Sequence, residues 1–183
     1  MSQLNQAARP GQRPSWAEVD LEAVRNNVRL VRKKIGPSPT IMAVVKSDGY
    51  GHGANQVAKA CIDAGAASLG VATADEALEL RETEPFRNLP ILVMGPTLKD
   101  EVEPMQKAGV DISIGAKELL KAHLDSAYHQ GREAKLHIQI DTGISRDGFR
   151  FDDYSYLDIL KGRESCFAGL WTHFAVSDSI APE

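Results

Sequence analysis

The sequence has few cysteines and few aromatic residues, and it lacks both a long apolar run and an excess of basic charge. Its two cysteines, Cys61 and Cys166, lie far apart in apolar surroundings, which argues against a disulfide framework or a metal cluster and predicts two buried, reduced thiols. No stretch reaches the roughly 20 apolar residues of a membrane-spanning helix. The formal net charge of -4 offers no basic surface, so neither nucleic acid nor an anionic membrane is expected as a partner.

What is present is an ordinary globular composition. Of the 183 residues, 43% are hydrophobic and 25% are charged, which is enough for one sizeable core. The first residues are polar, with Gly11 flanked by Pro10 and Pro14, and they lack the apolar segment of a signal peptide. We therefore predict a disordered tail over residues 1–14, a folded unit over residues 15–183 and a cytoplasmic location.

Apolar strands alternate with helices along the rest of the chain. Asp20 is placed to cap the first helix, and Thr73 with Glu76 forms a capping box at a later one. The pattern predicts a parallel sheet of the α/β class, and the order fits a (β/α) barrel better than an open sheet without proving closure. The predicted strands are WAEVDL, TIMAVV, ASLGVA, PILVMG, VDISI, AKLHIQI and CFAGLW, and without the first of them about six remain.

The stretch IMAVVKSDGYGHGA, residues 41–54, ends a buried strand in a lysine and continues in a turn with three glycines. In a barrel the chemistry lies at the carboxyl ends of the strands, where the amine of Lys46 can attack a carbonyl. The glycines let the backbone approach a ligand, and the helix that starts near Ala54 can favour an anion at its N-terminus. A lysine nucleophile beside such a turn indicates pyridoxal phosphate. His52 has no second ligand at metal spacing, so no metal site is predicted.

The segment AVVKSDGYGHGA resembles the cofactor-lysine signature of the alanine racemase family, and RPSWAEVDLEAVRNNV, GVATADEALELR, HIQIDTGISRDGF and GLWTHFAVSD resemble other segments of the same family. The resemblance implies a fold-type III pyridoxal phosphate enzyme that interconverts L- and D-alanine. It also implies a homodimer whose subunits join a (β/α)8 barrel to a C-terminal β domain. Because the chain stops at Glu183, we expect an incomplete (β/α)8 TIM-type barrel, the front part of a longer enzyme that is inactive alone.

The same resemblance implies roles for four residues. Lys46 would bind the cofactor covalently and act as one of two catalytic bases, and Tyr50 would donate its hydroxyl to the cofactor phosphate. Arg146 would approach the phenolic oxygen of the cofactor and the carboxylate of the amino-acid substrate. His173 would lie near the cofactor ring and orient an arginine that contacts the ring nitrogen. In the family, the second base is a tyrosine from the C-terminal domain of the partner subunit.

Three positions depart from the family pattern: Gln139, Asp147 and Ser145, the last of which stands where glycine is common. Gln139 stands where many alanine racemases carry a carbamylated lysine, so we expect either a weaker, neutral anchor for Arg146 or a bound anion that assists it. Asp147 stands where an apolar residue is usual, and the sequence SRDG resembles the corresponding stretch of broad-spectrum amino-acid racemases. Those racemases are typically exported, and the absent signal peptide argues against that variant. Substrate breadth therefore stays open.

Three other functions stay open on the sequence alone. A decarboxylase of the same fold type would share the lysine-bearing strand, although YGHG favours the racemase. A non-catalytic pyridoxal phosphate-binding protein is a lone barrel, but it needs all eight strands. The run IQIDTG resembles the D-T-G motif of aspartic proteases, although no second D-T-G follows Asp141 and strands and helices surround it. Near-visible absorbance by a bound cofactor would separate these classes.

Overall fold

The computed structural model describes residues 17–177, which form one parallel sheet flanked by helices. The predicted tail, residues 1–14, lies outside the described residues, and so does Trp16 at the start of the predicted strand WAEVDL. Residues 17–20 have no regular structure, so the described part of that strand prediction is wrong. Its last residue, Leu21, instead begins the first helix.

Strands and helices otherwise alternate as the apolar pattern predicts. The strands are β1 (Met42–Val44), β2 (Ser68–Val71), β3 (Ile91–Val93), β4 (Asp111–Ile114), β5 (Leu136–Asp141), β6 (Phe149–Arg150) and β7 (Phe167–Thr172). The helices are α1 (Leu21–Ile35), α2 (Lys46–Gly51), α3 (Ala54–Asp63), α4 (Ala74–Glu82), α5 (Val102–Lys107), α6 (Lys117–Gln130) and α7 (Ser155–Leu160). Of these, β6 and α2 were not predicted.

The sheet runs in the order β1-β2-β3-β4-β5-β7, and every pairing is parallel. The short strand β6 pairs only with the carboxyl end of β5, at Ile140 and Asp141. Six principal strands with intervening helices confirm the predicted α/β class and the partial barrel. Strands β1 and β7 are not paired with each other in the described part of the chain, so the barrel is open between them.

Local signals in the sequence fix the ends of the helices. The side chain of Asp20 accepts hydrogen bonds from the backbone N–H groups of Glu22 and Ala23, as a cap of α1 should. The predicted capping box of Thr73 and Glu76 is present at the start of α4. Within residues 17–177, no helix is both long and apolar enough to cross a lipid bilayer.

The core lies between the sheet and its covering helices. All three residues of β3 are buried, because helices cover the outside of a parallel sheet and a barrel interior faces its other side. Cys61 and Cys166 are buried free thiols, which confirms the prediction, and burial raises the pKa of Cys61.

A buried histidine lies between α6 and the loop after β3. His123 has no exposed surface, and its Nε2 is hydrogen-bonded to Thr97 Oγ1 at 2.8 Å. Its Nδ1 has no partner among the described residues. A protonated imidazole would need an acceptor at both nitrogens, so burial lowers the pKa of His123 from its usual 6.5 to about 4.

Stability is therefore expected to fall as the solution is acidified from about pH 6.5 to about pH 4. In that window the unfolded chain binds a proton at His123 that the folded chain does not bind. The free energy of unfolding therefore falls by up to about 3 kcal/mol. His123→Gln should flatten this part of the pH profile, whereas His129→Gln, at an exposed position of the same helix, should not. Urea unfolding at several pH values measures both, and equal profiles for the two variants would contradict the assignment.

Candidate active site

Lys46 begins α2, a short helical segment that is wound left-handed. Ser47, Asp48, Gly49 and Tyr50 have φ between 53° and 61° and ψ between 37° and 51°. This conformation costs an L-residue roughly 1–2 kcal/mol, so the three non-glycine residues together cost roughly 3–6 kcal/mol. Such a turn persists only where neighbouring contacts hold it.

Asp48 provides one of these contacts at the start of α3. Its Oδ1 accepts a hydrogen bond from the N–H of Ala54 at 2.7 Å, and its backbone oxygen accepts one from Gly53 at 2.9 Å. The anion expected at this helix N-terminus is therefore the carboxylate of Asp48. A cofactor phosphate at this terminus would have to compete with that carboxylate for the N–H of Ala54.

Glu76 provides a second contact, from α4. Its Oε1 accepts a hydrogen bond from the N–H of Ser47 at 2.6 Å. Its Oε2 accepts hydrogen bonds from Ala72 at 2.7 Å and Thr73 at 3.3 Å. The carboxylate thus ties the residue after Lys46 to the end of β2. The sequence predicted the capping box but not the contact with Ser47. That contact depends on the left-handed backbone conformation of Ser47, which no sequence motif predicts.

An open cavity of about 330 Å³ lies at the carboxyl ends of the strands. It is lined by Lys46, Ala72, Met94, Gly95, Pro96, Gln139, Arg146, Asp147 and Trp171. Two of the four predicted site residues, Lys46 and Arg146, therefore meet at one cavity. Tyr50 and His173 are not among its lining residues, and both have exposed side chains. Within residues 17–177, no group of three or more His, Cys, Asp or Glu side chains is placed to hold a metal ion.

Gln139 lies in the barrel interior and is 2% exposed. Its Oε1 accepts a hydrogen bond from Ser113 Oγ at 3.3 Å, and its Nε2 donates one to the backbone oxygen of Asp147 at 3.2 Å. Ser113 Oγ in turn accepts a hydrogen bond from Trp171 Nε1 at 2.9 Å. The amide oxygen is thus used by Ser113 and not by Arg146. Gln139 thus contacts the backbone next to Arg146, and the expectation of a weaker anchor, or of a bound anion that assists it, stays a prediction.

The loop before Arg146 is fixed by Asp141, the aspartate of the D-T-G sequence. Its Oδ1 accepts hydrogen bonds from the N–H groups of Gly143 and Ser145, both at 3.0 Å. These bonds hold the pKa of Asp141 below its usual range. Asp141 is not among the residues that line the cavity, and its carboxylate holds the loop through these two hydrogen bonds.

Asp147 brings a carboxylate to the cavity, against the end of β4. A Cβ atom at Gly115 would lie 2.2 Å from Asp147 Oδ1, so only glycine leaves room for this side chain. Oδ1 accepts a hydrogen bond from the N–H of Gly148 at 2.8 Å. Among the described residues, Asp147 forms no ion pair, although Lys46 and Arg146 line the same cavity.

Sequence reasoning missed two residues of this region, Ser113 and Trp171. Ser113 is a polar residue inside the apolar strand VDISI, and Trp171 lies near the end of β7. A polar side chain in an otherwise apolar barrel strand, and an aromatic residue at a strand end, were the signals that could have identified them.

The fold and the cavity together define an α/β-barrel protein with a lysine and an arginine at the carboxyl ends of its parallel strands. The family profile described as "Alanine racemase, N-terminal domain" matches residues 19–183. The chain therefore belongs to the alanine racemase family, in the part that corresponds to the N-terminal domain.

Individual relatives agree with this assignment. An alanine racemase from Desulforamulus reducens is 39% identical over 170 residues, covering 90% of this chain and 45% of the relative. The structure of alanine racemase from Bacillus anthracis with bound L-Ala-P gives a TM-score of 0.83 at 34% identity, covering 94% of this chain and 45% of that one. The structure of a histidine racemase from Leuconostoc mesenteroides gives a TM-score of 0.77 at 28% identity, covering 87% of this chain and 43% of that one. The chain thus spans about half the length of the relatives it matches.

Because Gln139 has no amine to carbamylate, any binding of a ligand at the cavity should not depend on dissolved CO2. The variant Gln139→Lys should acquire that dependence, since burial favours the neutral amine that reacts with CO2. Carbon-13 NMR with labelled bicarbonate should show a carbamate signal in this variant but not in the wild type or in Gln139→Met. A carbamate in the wild type, or loss of its ligand binding on degassing, would contradict the prediction.

Proposed function

We propose that the chain belongs to a pyridoxal phosphate-dependent racemase that interconverts L- and D-alanine. The observation that carries the proposal is the meeting of Lys46 and Arg146 at one cavity, at the end of the sheet where barrel enzymes hold their catalytic groups. The family match supports a racemase. The whole enzyme's activity, its homodimeric state and its cytoplasmic location extend beyond the matched part and are proposals.

The described residues fit the reactive end of pyridoxal phosphate. Lys46 supplies an amine for its aldehyde, and Arg146 supplies a guanidinium for its phenolic oxygen. We assign the phosphate to the Tyr50 hydroxyl and the ring to His173. Both are exposed side chains, on segments that adjoin the cavity-lining residues Lys46 and Trp171. When bound, pyridoxal phosphate withdraws electrons from the α-carbon of an attached amino acid and makes the α-proton removable.

The residues of this chain then handle one face of the substrate. Arg146 holds the substrate carboxylate through two parallel hydrogen bonds. The amine of Lys46 takes the α-proton on its own face and returns a proton there. Inversion also needs a proton on the opposite face, which we assign to the partner subunit, as the family resemblance implies.

A broader amino-acid racemase is the second candidate, and Asp147 favours it. A carboxylate in the cavity gives the side chain of a larger polar amino acid a hydrogen-bond acceptor, where an apolar residue would not. The similarity to a histidine racemase also supports a broader range of substrates. If Asp147 sets substrate breadth, Asp147→Leu should weaken binding of histidine and lysine to the cofactor-loaded protein while leaving alanine binding unchanged.

A spectroscopic titration tests the proposed function. Adding pyridoxal phosphate to the protein should produce near-visible absorbance of a lysine-bound cofactor. Subsequent L- or D-alanine should change that spectrum, whereas propionate, which lacks the amine, should not. Arg146→Met should weaken the alanine response about tenfold or more, because a charge-assisted contact to the carboxylate is lost. A cofactor spectrum that no amino acid alters would favour a non-catalytic binding protein.

A further inference from the structure

We propose that Glu76 is a positioning residue for Lys46, an inference that rests on the proposed role of that lysine. Glu76 was predicted as part of a helix capping box, and its Oε2 and backbone N–H serve that purpose. Its Oε1 does something else, since it accepts the N–H of Ser47 at 2.6 Å, 29 positions earlier in the chain. Through this bond the carboxylate contacts the residue directly after Lys46.

This contact acts at the start of the left-handed turn. Inside the turn, the N–H of Gly49 donates to the backbone oxygen of Val45 at 2.8 Å. The N–H of Ser47 lies earlier in the turn, and its hydrogen bond is to Glu76. Because L-residues avoid this conformation, losing the bond should let Ser47 return to ordinary backbone angles. The direction in which the side chain of Lys46 leaves the strand would then change.

The carboxylate has little alternative use in its surroundings. Glu76 lines a second small cavity, and the other charged residues that line it, Asp48 and Glu79, carry charge of the same sign. No ion pair to Glu76 occurs among the described residues. Its partners are backbone N–H groups from two separate segments, so the charge links α4 and the end of β2 to the lysine-bearing turn.

The variant Glu76→Gln tests the proposal, because it replaces one of the two acceptor oxygens with an NH2 donor, which cannot accept the backbone N–H groups that face it. Thr73→Ala is the matched control, since it removes the hydroxyl that caps α4 and keeps the carboxylate on Ser47. Two measurements are made on the folded 183-residue chain. Amide hydrogen exchange measures how strongly the N–H of Ser47 is protected from solvent. The rate at which Lys46 is modified is measured by borohydride reduction in the presence of pyridoxal phosphate, followed by peptide mass spectrometry.

In Glu76→Gln, exchange at Ser47 should accelerate about tenfold and modification of Lys46 should slow about tenfold, with neither change in Thr73→Ala. Equal effects in both variants, or none in Glu76→Gln, would overturn the proposal and leave Glu76 as a helix cap. If Glu76→Gln does not fold, Glu76→Asp replaces it, because the shorter side chain cannot span both segments. If the wild-type chain is modified at another lysine, the proposed role of Lys46 fails, while exchange at Ser47 still tests the contact.

Discussion

Replacing Lys46 with alanine should abolish the near-visible absorbance that develops when pyridoxal phosphate is added to the protein. Lys46 lines the cavity just after the end of β1, and no other lysine among residues 17–177 lines it. Without that amine, the aldehyde has no nucleophile at the site, and any reaction that depends on a lysine-bound cofactor stops. Borohydride reduction of the wild type should attach the cofactor to Lys46, which peptide mass spectrometry identifies.

Lys59→Ala is the control for this experiment. Lys59 lies on α3, is exposed and pairs with Asp63 at 2.8 Å, so its removal costs only the small contribution of a surface ion pair. Absorbance and modification should match those of the wild type. A reduced cofactor found on Lys59 or Lys107, with Lys46 unmodified, would show that the lysine has been assigned incorrectly.

The 183-residue chain alone should form no D-alanine from L-alanine. Inversion needs one proton-transfer group on each face of the α-carbon, and the described residues that line the cavity include no tyrosine to act opposite Lys46. Lys46 can still exchange the α-proton on its own face. In D₂O, with pyridoxal phosphate present, we therefore expect one enantiomer of alanine to incorporate deuterium without changing configuration.

Proton NMR follows the loss of the α-proton, and chiral chromatography follows the configuration. Lys46→Ala should remove the exchange and provides the background from free cofactor. Formation of D-alanine at a rate comparable to that of a complete alanine racemase would show that the chain carries its own second base, with Asp147 the first residue to test. Exchange of both enantiomers would lead to the same conclusion.

The elements that the sequence predicted well depend on local signals. Buried strands such as β3 appear as unbroken apolar runs, and Asp20 and Thr73 lie where helix caps belong. The strand predicted at WAEVDL is not formed in its described residues, although it too was predicted from a local pattern of apolar residues. An alternating pattern describes a face, but only a neighbouring strand can make it part of a sheet, and residues 17–20 have none.

The site was predicted through its residue types rather than its geometry. Lys46, just after β1, and Arg146, in the loop after β5, were predicted from their residue types and both line the cavity, whereas the partners of Gln139 were not predicted. Whether its amide faces Arg146 or Ser113 depends on which interior layer of the barrel each strand contributes to, and therefore on register. The left-handed turn could not be predicted from the sequence, because Ser47, Asp48 and Tyr50 adopt this conformation only when contacts from other parts of the fold hold it.

The handedness of this turn has a consequence for chemical synthesis of the protein. Four successive residues take up the mirror image of ordinary helical geometry, which is the geometry that residues of opposite chirality prefer. The side chain of Ser47 is exposed, so a D-serine at this position has room for its altered side-chain direction and removes a steric cost from the backbone. In a protein whose proposed substrates are the two enantiomers of an amino acid, the segment next to the reactive lysine is the part of the backbone best suited to a D-residue.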